Sequence, residues 1–217
     1  MALVIFDLDD TLLLGDSDFL WGEFLVETGK VDADEFKKTN DKFAAAYHSG
    51  TLDVIAYQKF ALEPLIKESM ETLSVWLGEY IDDYIKPLYS HKAQALVDKH
   101  RDRGDRLLII TSTSSFITNP IGEMYGISEL LGVDYVIKDN RYTGEILGTP
   151  TFREGKVTRL YEWMEQEGES LEGSYFYSDS HNDLPLLKIV EHPIIVDGDK
   201  ALLEYGEAMD WESISVR

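Results

Sequence analysis

The chain has 217 residues, 41 acidic and 20 basic, for a net charge of −21. Phosphate backbones attract basic patches, so this balance argues against a nucleic-acid partner and predicts a solvated acidic surface. Cysteine is absent, which excludes disulfides and thiolate zinc sites, and 44% hydrophobic residues suffice for a substantial core.

No apolar run reaches the ~20 residues of a membrane span. No basic segment followed by an apolar one and a cleavage site opens the chain, so a cytoplasmic protein without a membrane partner is expected. Leu3-Val4-Ile5-Phe6 reads as a buried parallel strand that stops abruptly at Asp7 and Asp9. In an open α/β sheet, chemistry sits just outside the carboxyl ends of strands. Two carboxylates two residues apart share one side of the strand, and so concentrated a negative site calls for a cation or a raised pKa.

From residue 15 to 88 the pattern is helical. Segments 17–28 and 33–47 carry Phe and Leu at helical spacing, Gly50 is a stop, and Leu52 starts a helix that Pro64 shortens or kinks. Leu73, Trp76, Leu77, Tyr80, Ile81, Tyr84 and Ile85 then mark one face of a further helix over 73–85. Residues 15–88 are therefore expected to form a helical cap domain, with 1–14 and 89–217 as an α/β core. From His91 helices alternate with strands. The expected order is a helix over 91–103, a strand over 106–110 ending at Thr111, a helix with Pro120 near its first turn, and a strand over 133–137. A small hairpin excursion over 138–148, a helix over 154–167 with Lys156 near its start, and a strand over 174–177 follow. A short helix over 183–190, a strand over 193–196, a helix over 200–208 and an edge strand at 214–216 complete the chain. The alternation implies a doubly wound parallel sheet.

Asp7-Leu8-Asp9-Asp10-Thr11 after an apolar strand resembles the DxDxT signature of the haloacid dehalogenase (HAD) superfamily. Three further clusters stand in that family's order: Thr111 at a strand end, Lys156 at a helix start, and Ser178-Asp179-Ser180-His181-Asn182-Asp183 after a later strand. Singly, each has an ordinary reading, as a helix cap, a surface lysine or an acidic turn. Together they resemble the phosphoserine-phosphatase-like group of subfamily I over nearly the whole chain. That likeness implies a Rossmann-like core with its helical cap inserted after the first strand.

The resemblance also implies a Mg²⁺-dependent phosphatase of a small phosphorylated metabolite. Asp7 would attack phosphorus to give an aspartyl-phosphate, and Asp9 would serve as acid and then base. Mg²⁺ would be held by Asp7, the Asp9 backbone carbonyl and Asp179. Thr111, the Ser112 N–H and Lys156 would grip the phosphoryl oxygens, with Asn182 and Asp183 supporting the site. A phosphotransferase or mutase shares the first step. In phosphoserine phosphatases an acidic residue shortly after the first motif binds the ammonium. Asp16 stands at the matching offset, where it also reads as an N-cap. A gapless comparison from Gly50 puts Lys59 where those enzymes carry a carboxylate-binding arginine, and lysine cannot make the same bidentate fork. Thr111-Ser112-Thr113-Ser114 also replaces their glycine-rich second motif. Both departures favour an amine-bearing ester without a carboxylate, such as histidinol phosphate, over phosphoserine. His181 reads as a turn residue or as lining for the mouth. Cap opening is expected about Gly15 and Pro87.

Overall fold

The computed structural model describes residues 1–217. A seven-stranded sheet holds β1 (Leu3–Phe6), β2 (Arg106–Ser114), β3 (Leu130–Lys138), β4 (Arg141–Leu147), β5 (Tyr175–Ser178), β6 (His192–Val196) and β7 (Glu212–Ile214) in the order β4-β3-β2-β1-β5-β6-β7. Every pairing is parallel except β3 with β4, which closes one edge as an antiparallel hairpin. β1 lies centrally, with β2 and β5 on its two sides. The order reverses there, and a crevice opens beyond the carboxyl ends of the strands.

Alternation along β1 gives the sheet two apolar faces. Leu3 and Ile5 pack with Leu108, Ile110 and Phe176 beneath α7 (Glu154–Glu167), the short α8 (Leu184–Leu187) and α9 (Lys200–Ala208). Val4 and Phe6 face a larger cluster under α5 (His91–Asp102) and α6 (Ser115–Met124). That cluster runs on without interruption into the helices of residues 17–88, through Trp21, Phe24, Leu62, Leu73 and Tyr80. No helix is long and apolar enough to cross a membrane.

The inserted segment comprises α1 (Ser17–Glu27), α2 (Ala33–His48), α3 (Val54–Ile66) and α4 (Met70–Tyr80). Asp16, Asp32, Asp53 and Ser69 cap them, each side chain accepting a backbone N–H of the first turn. α1 and α2 approach closely because residue 22 is glycine: a Cβ there would lie 2.4 Å from Asn40 Nδ2. The segment leaves and rejoins the sheet side by side, for Leu14 N–H donates to the Leu88 carbonyl (2.9 Å) and Leu13 bridges Tyr89.

Several boundaries differ from expectation. The helix expected over 73–85 is α4 followed by a π-helical turn over Ile81–Ile85 and a 3₁₀ turn at Lys86–Leu88. β2 continues through the Ser/Thr run to Ser114, because those polar side chains find partners across the sheet end rather than ending the strand. α6 consequently starts only at Ser115, which puts Pro120 in its interior. The edge strand is Glu212–Ile214, two residues earlier than expected.

Candidate active site

β1 ends at Phe6, and the next residues deliver the first two carboxylates. Asp7 is 4% exposed. Its N–H donates to the Tyr177 carbonyl of β5 (2.9 Å), so the chain stays aligned one residue past the strand. Its Oδ1 accepts from Lys156 Nζ at 2.8 Å. Asp9 is fixed differently, with Oδ1 accepting the Ser17 N–H (2.6 Å) and Oδ2 the Thr113 hydroxyl (2.8 Å). The N-terminus of α1 and the end of β2 thus hold one carboxyl between them. The intervening turn places Asp10 at a φ of 54°.

Lys156 reaches Asp7 from the first turn of α7. It is 1% exposed and makes a second 2.8 Å bond to Asp183 Oδ2. The preceding glycine makes that placement possible, since a Cβ at Gly155 would stand 2.0 Å from the Pro150 carbonyl oxygen. Asp183 also accepts from the Ser178 hydroxyl (2.8 Å), so the lysine sits between two buried anions. Asp179, just beyond β5, exchanges hydrogen bonds with Thr11: the hydroxyl donates to Oδ1 (3.2 Å) and accepts from the Asp179 N–H (3.1 Å). Thr111 is 1% exposed; its hydroxyl accepts the Thr113 N–H (3.2 Å) and its carbonyl accepts the Thr151 hydroxyl (2.5 Å). It lies within β2, four residues before α6, so it is not that helix's cap.

The electrostatics follow from burial. Burial raises the Asp7 carboxyl to about 7 against the pull of the Lys156 ammonium, helped by the repulsion of Asp183 and Asp9. Burial and the nearby Asp16 raise Asp9 to about 7 as well. Asp179 is pushed well above the ordinary carboxylate range by burial, then by Asp7 and Asp10. No three acidic or imidazole side chains converge on one point. Two mutually repelling carboxylates, Asp7 and Asp179, instead line the same cavity and could serve a hard cation. Magnesium characteristically takes one or two carboxylates and completes its shell with water and substrate oxygens, so this donor set fits it.

Asp7, Asp9, Asp10, Asp179, Thr111 and Ser112 line a cavity of about 200 Å³ roofed by α1, α2 and α3. Asn182 lines it too, whereas Lys156 and Asp183 stand behind Asp7, outside the lining. Asp16 lines it while capping α1 through the N–H groups of Asp18 (2.9 Å) and Phe19 (2.8 Å), as its N-cap reading expects. His181 lines the cavity beside Asp199, with Nδ1 at 2.7 Å from its carboxylate.

Lys59 requires a correction: it is exposed and takes no part in the cavity, which Val54, Tyr57 and Gln58 of the same helix line instead. α3 starts at Val54, and positions i, i+3 and i+4 share its inner face, which turns residue 59 outward. Gln58 was not singled out from sequence. It donates from Nε2 to the Ser112 carbonyl (3.2 Å) and accepts the Tyr135 hydroxyl (2.6 Å), tying the roof to β2 and β3. Arg153 was missed as well. Its guanidinium donates to the Gly50 carbonyl (2.7 Å) and Asn182 Oδ1 (3.1 Å), while Asn182 Nδ2 donates to the Tyr47 carbonyl (3.2 Å). The backbone of Arg153 has φ 51° and ψ −120°, an unfavourable conformation for a residue with a Cβ. Neither residue belongs to a periodic or motif signal. An amide or guanidinium bridging two segments is visible only once they are brought together.

The haloacid dehalogenase-like hydrolase family matches residues 4–188. The chain belongs to the haloacid dehalogenase-like hydrolases. A histidinol-phosphatase of Neisseria meningitidis serogroup C is 41% identical over 99% of both chains. Among solved structures of this fold, a Bordetella pertussis Tohama I protein of unknown function superposes at TM-score 0.94, with 40% identity over 100% of this chain and 99% of the other. A phosphoserine phosphatase, captured as a phospho-aspartyl intermediate analogue, shares the HAD fold at TM-score 0.72 and 17% identity, covering 100% of this chain and 93% of that one.

Proposed function

We propose that this HAD hydrolase is a Mg²⁺-dependent phosphatase of a small, amine-bearing phosphate ester, with histidinol phosphate as the substrate. One observation carries the choice of ester. The cavity beyond the reacting carboxylates is lined by Asp16, Asp18 and aromatic side chains, and by no lysine or arginine. A cationic leaving group suits that lining. The carboxylate of phosphoserine would meet no lysine or arginine in that lining and would be repelled by Asp16 and Asp18, which is unfavourable. The 41% identity to a histidinol-phosphatase over the full chain supports the same choice.

The chemistry follows from the residues. Asp7 attacks phosphorus, the ester P–O bond breaks, and the departing alkoxide takes its proton from Asp9. The position of Asp9, between Ser17 and Thr113, and its raised pKa suit that donation. Water then attacks the aspartyl-phosphate while Asp9 takes the proton back, releasing phosphate and freeing Asp7. Thr111 and the Ser112 N–H hold the phosphoryl oxygens, while Lys156, bonded to Asp7 from outside the cavity lining, offsets the negative charge about that carboxylate. Asp7, Asp179 and the Asp9 carbonyl would hold Mg²⁺, with Asn182 and Asp183 in support. The ion supplies charge neutralisation for an anionic ester that otherwise repels an anionic nucleophile.

The test is phosphate release across phosphoserine, histidinol phosphate, phosphoethanolamine and sugar phosphates, with and without Mg²⁺. Histidinol phosphate should dominate, chelation should abolish turnover, and Asp7→Asn should lose at least about a thousandfold in kcat. A preference for phosphoserine or a sugar phosphate would overturn the substrate. Full activity in Asp7→Asn would overturn the mechanism.

A further inference from the structure

Two carboxylates face the leaving-group end of the cavity from the first turn of α1, and they are not equivalent. Asp16 accepts two backbone N–H groups on one oxygen, which both fixes its side chain and stabilises its charge. Asp18 has no such support, and its carboxylate lines the same cavity as the Tyr57 ring of α3. Burial, then the neighbouring Asp16, pushes the Asp18 carboxyl well above the ordinary range, so its ionised form lacks a counter-charge. A second polar group in the lining is also incomplete. Asn40 is 4% exposed; its Nδ2 donates to the Phe19 carbonyl (3.2 Å), and its Oδ1 accepts no hydrogen bond. Both unfilled groups are acceptors. The walls include the rings of Phe43, Tyr57 and Phe152, whose faces attract cations and stack on flat rings.

We propose that Asp18 is the specificity-determining carboxylate of this enzyme and binds a cationic nitrogen of the leaving group, with Asn40 Oδ1 as a second acceptor. Asp16 acts one step back, as the cap that fixes the turn carrying Asp18. This assignment rests on the amine-ester reading above and adds the residue that enforces it.

The experiment compares kcat/KM for histidinol phosphate with that for p-nitrophenyl phosphate, whose leaving group carries no cation. The comparison is made for the Mg²⁺-loaded wild type, Asp18→Asn, Asp18→Ser, Asp18→Glu and Asp16→Asn, after each variant's fold is checked by thermal unfolding. In Asp18→Asn the ratio should fall about 10- to 100-fold, the value of one charge-assisted hydrogen bond, with the loss in KM rather than kcat. Asp18→Ser should lose as much, and Asp18→Glu should recover part of it. An unchanged ratio in Asp18→Asn overturns the proposal, as does a fall confined to Asp16→Asn. A wild type without preference for histidinol phosphate over p-nitrophenyl phosphate overturns the amine-ester reading itself. If Asp18→Asn does not fold, Asp18→Ser decides, and an unaltered ratio in it is the overturning result.

Discussion

Asp9 shows how surroundings can suit one side chain to the acid–base role proposed for it. The Ser17 N–H and the Thr113 hydroxyl fix its orientation, and burial holds its carboxyl at about 7. A group that keeps its proton up to neutral pH can hand it to an alkoxide, and once ionised it can take one from water. Asp9→Asn should therefore lower kcat on an alkyl phosphate by about 10²–10⁴. The loss on p-nitrophenyl phosphate should be far smaller, because that leaving group departs without a proton; steady-state kinetics on the two esters make the comparison. Equal losses would remove the acid role. At this scale the sequence was legible wherever chemistry adjoins a strand end. Asp7, Asp9, Thr111 and Asp179 each follow an apolar run, and those runs meet at the middle of one sheet. Lys59 was misplaced because its position depends on helix phase, and one residue of phase rotates a side chain by about 100°. Gln58, next to it, faces inward.

Among the elements, α2 and α3 matter most to the site, because they close it. Their connection is pinned at three points: Gln58 to Ser112, Asn182 to Tyr47, and Arg153 to Gly50. Gly50 suits the tip for two reasons. Its φ is 68°, and a Cβ would lie 2.8 Å from the Arg153 guanidinium and 2.9 Å from His181 Nε2. Arg153→Ala removes one pin at the tip and the contact to Asn182 together. Amide exchange over residues 47–53 should accelerate by about tenfold, the equivalent of ~1.4 kcal/mol in lost hydrogen bonding. Exchange in β2 should stay unchanged; acceleration spread evenly over both would mean general destabilisation rather than release of the tip. We place the pivots for such opening at Gly15, where a Cβ would lie 3.1 Å from Leu88 Cδ1, and at the turn containing Pro87. The helices were readable from their spacing and their Asp and Ser caps. The π-helical turn at 81–85 was not, since one extra residue per turn leaves the apolar pattern almost intact. The length of β2 was hidden because Thr and Ser serve equally as strand, cap and loop.

The whole molecule carries a net charge of −21, and the buried carboxylates of its site are part of that excess. Arg106 gathers Glu129, Glu167 and Glu169 at the amino end of β2, yet there is too little basic charge to pair the remainder. Self-repulsion on this scale works against the compact state. Raising NaCl from about 0.05 M to about 0.5 M shortens the Debye length severalfold and should raise the melting temperature by ~2–8 °C, the equivalent of ~1–2 kcal/mol. Differential scanning calorimetry at fixed pH measures it, and an unchanged or lower value would mean that the surface charges lie too far apart to repel. Doubly wound architecture was legible from alternating strands and helices. The order of the strands was not, because local periodicity carries no record of which neighbour a strand chooses.

The adjacent hydrogen-bonded crossing of Leu14 and Leu88 has a consequence for how such an enzyme can diversify. The roof over the reacting groups enters and leaves through one narrow doorway, so it can be lengthened, shortened or replaced without rethreading the sheet. Inheritance can then treat the two parts separately. The phosphorus chemistry descends with the strands, and each lineage can fit a new ceiling to whatever alcohol it needs to release.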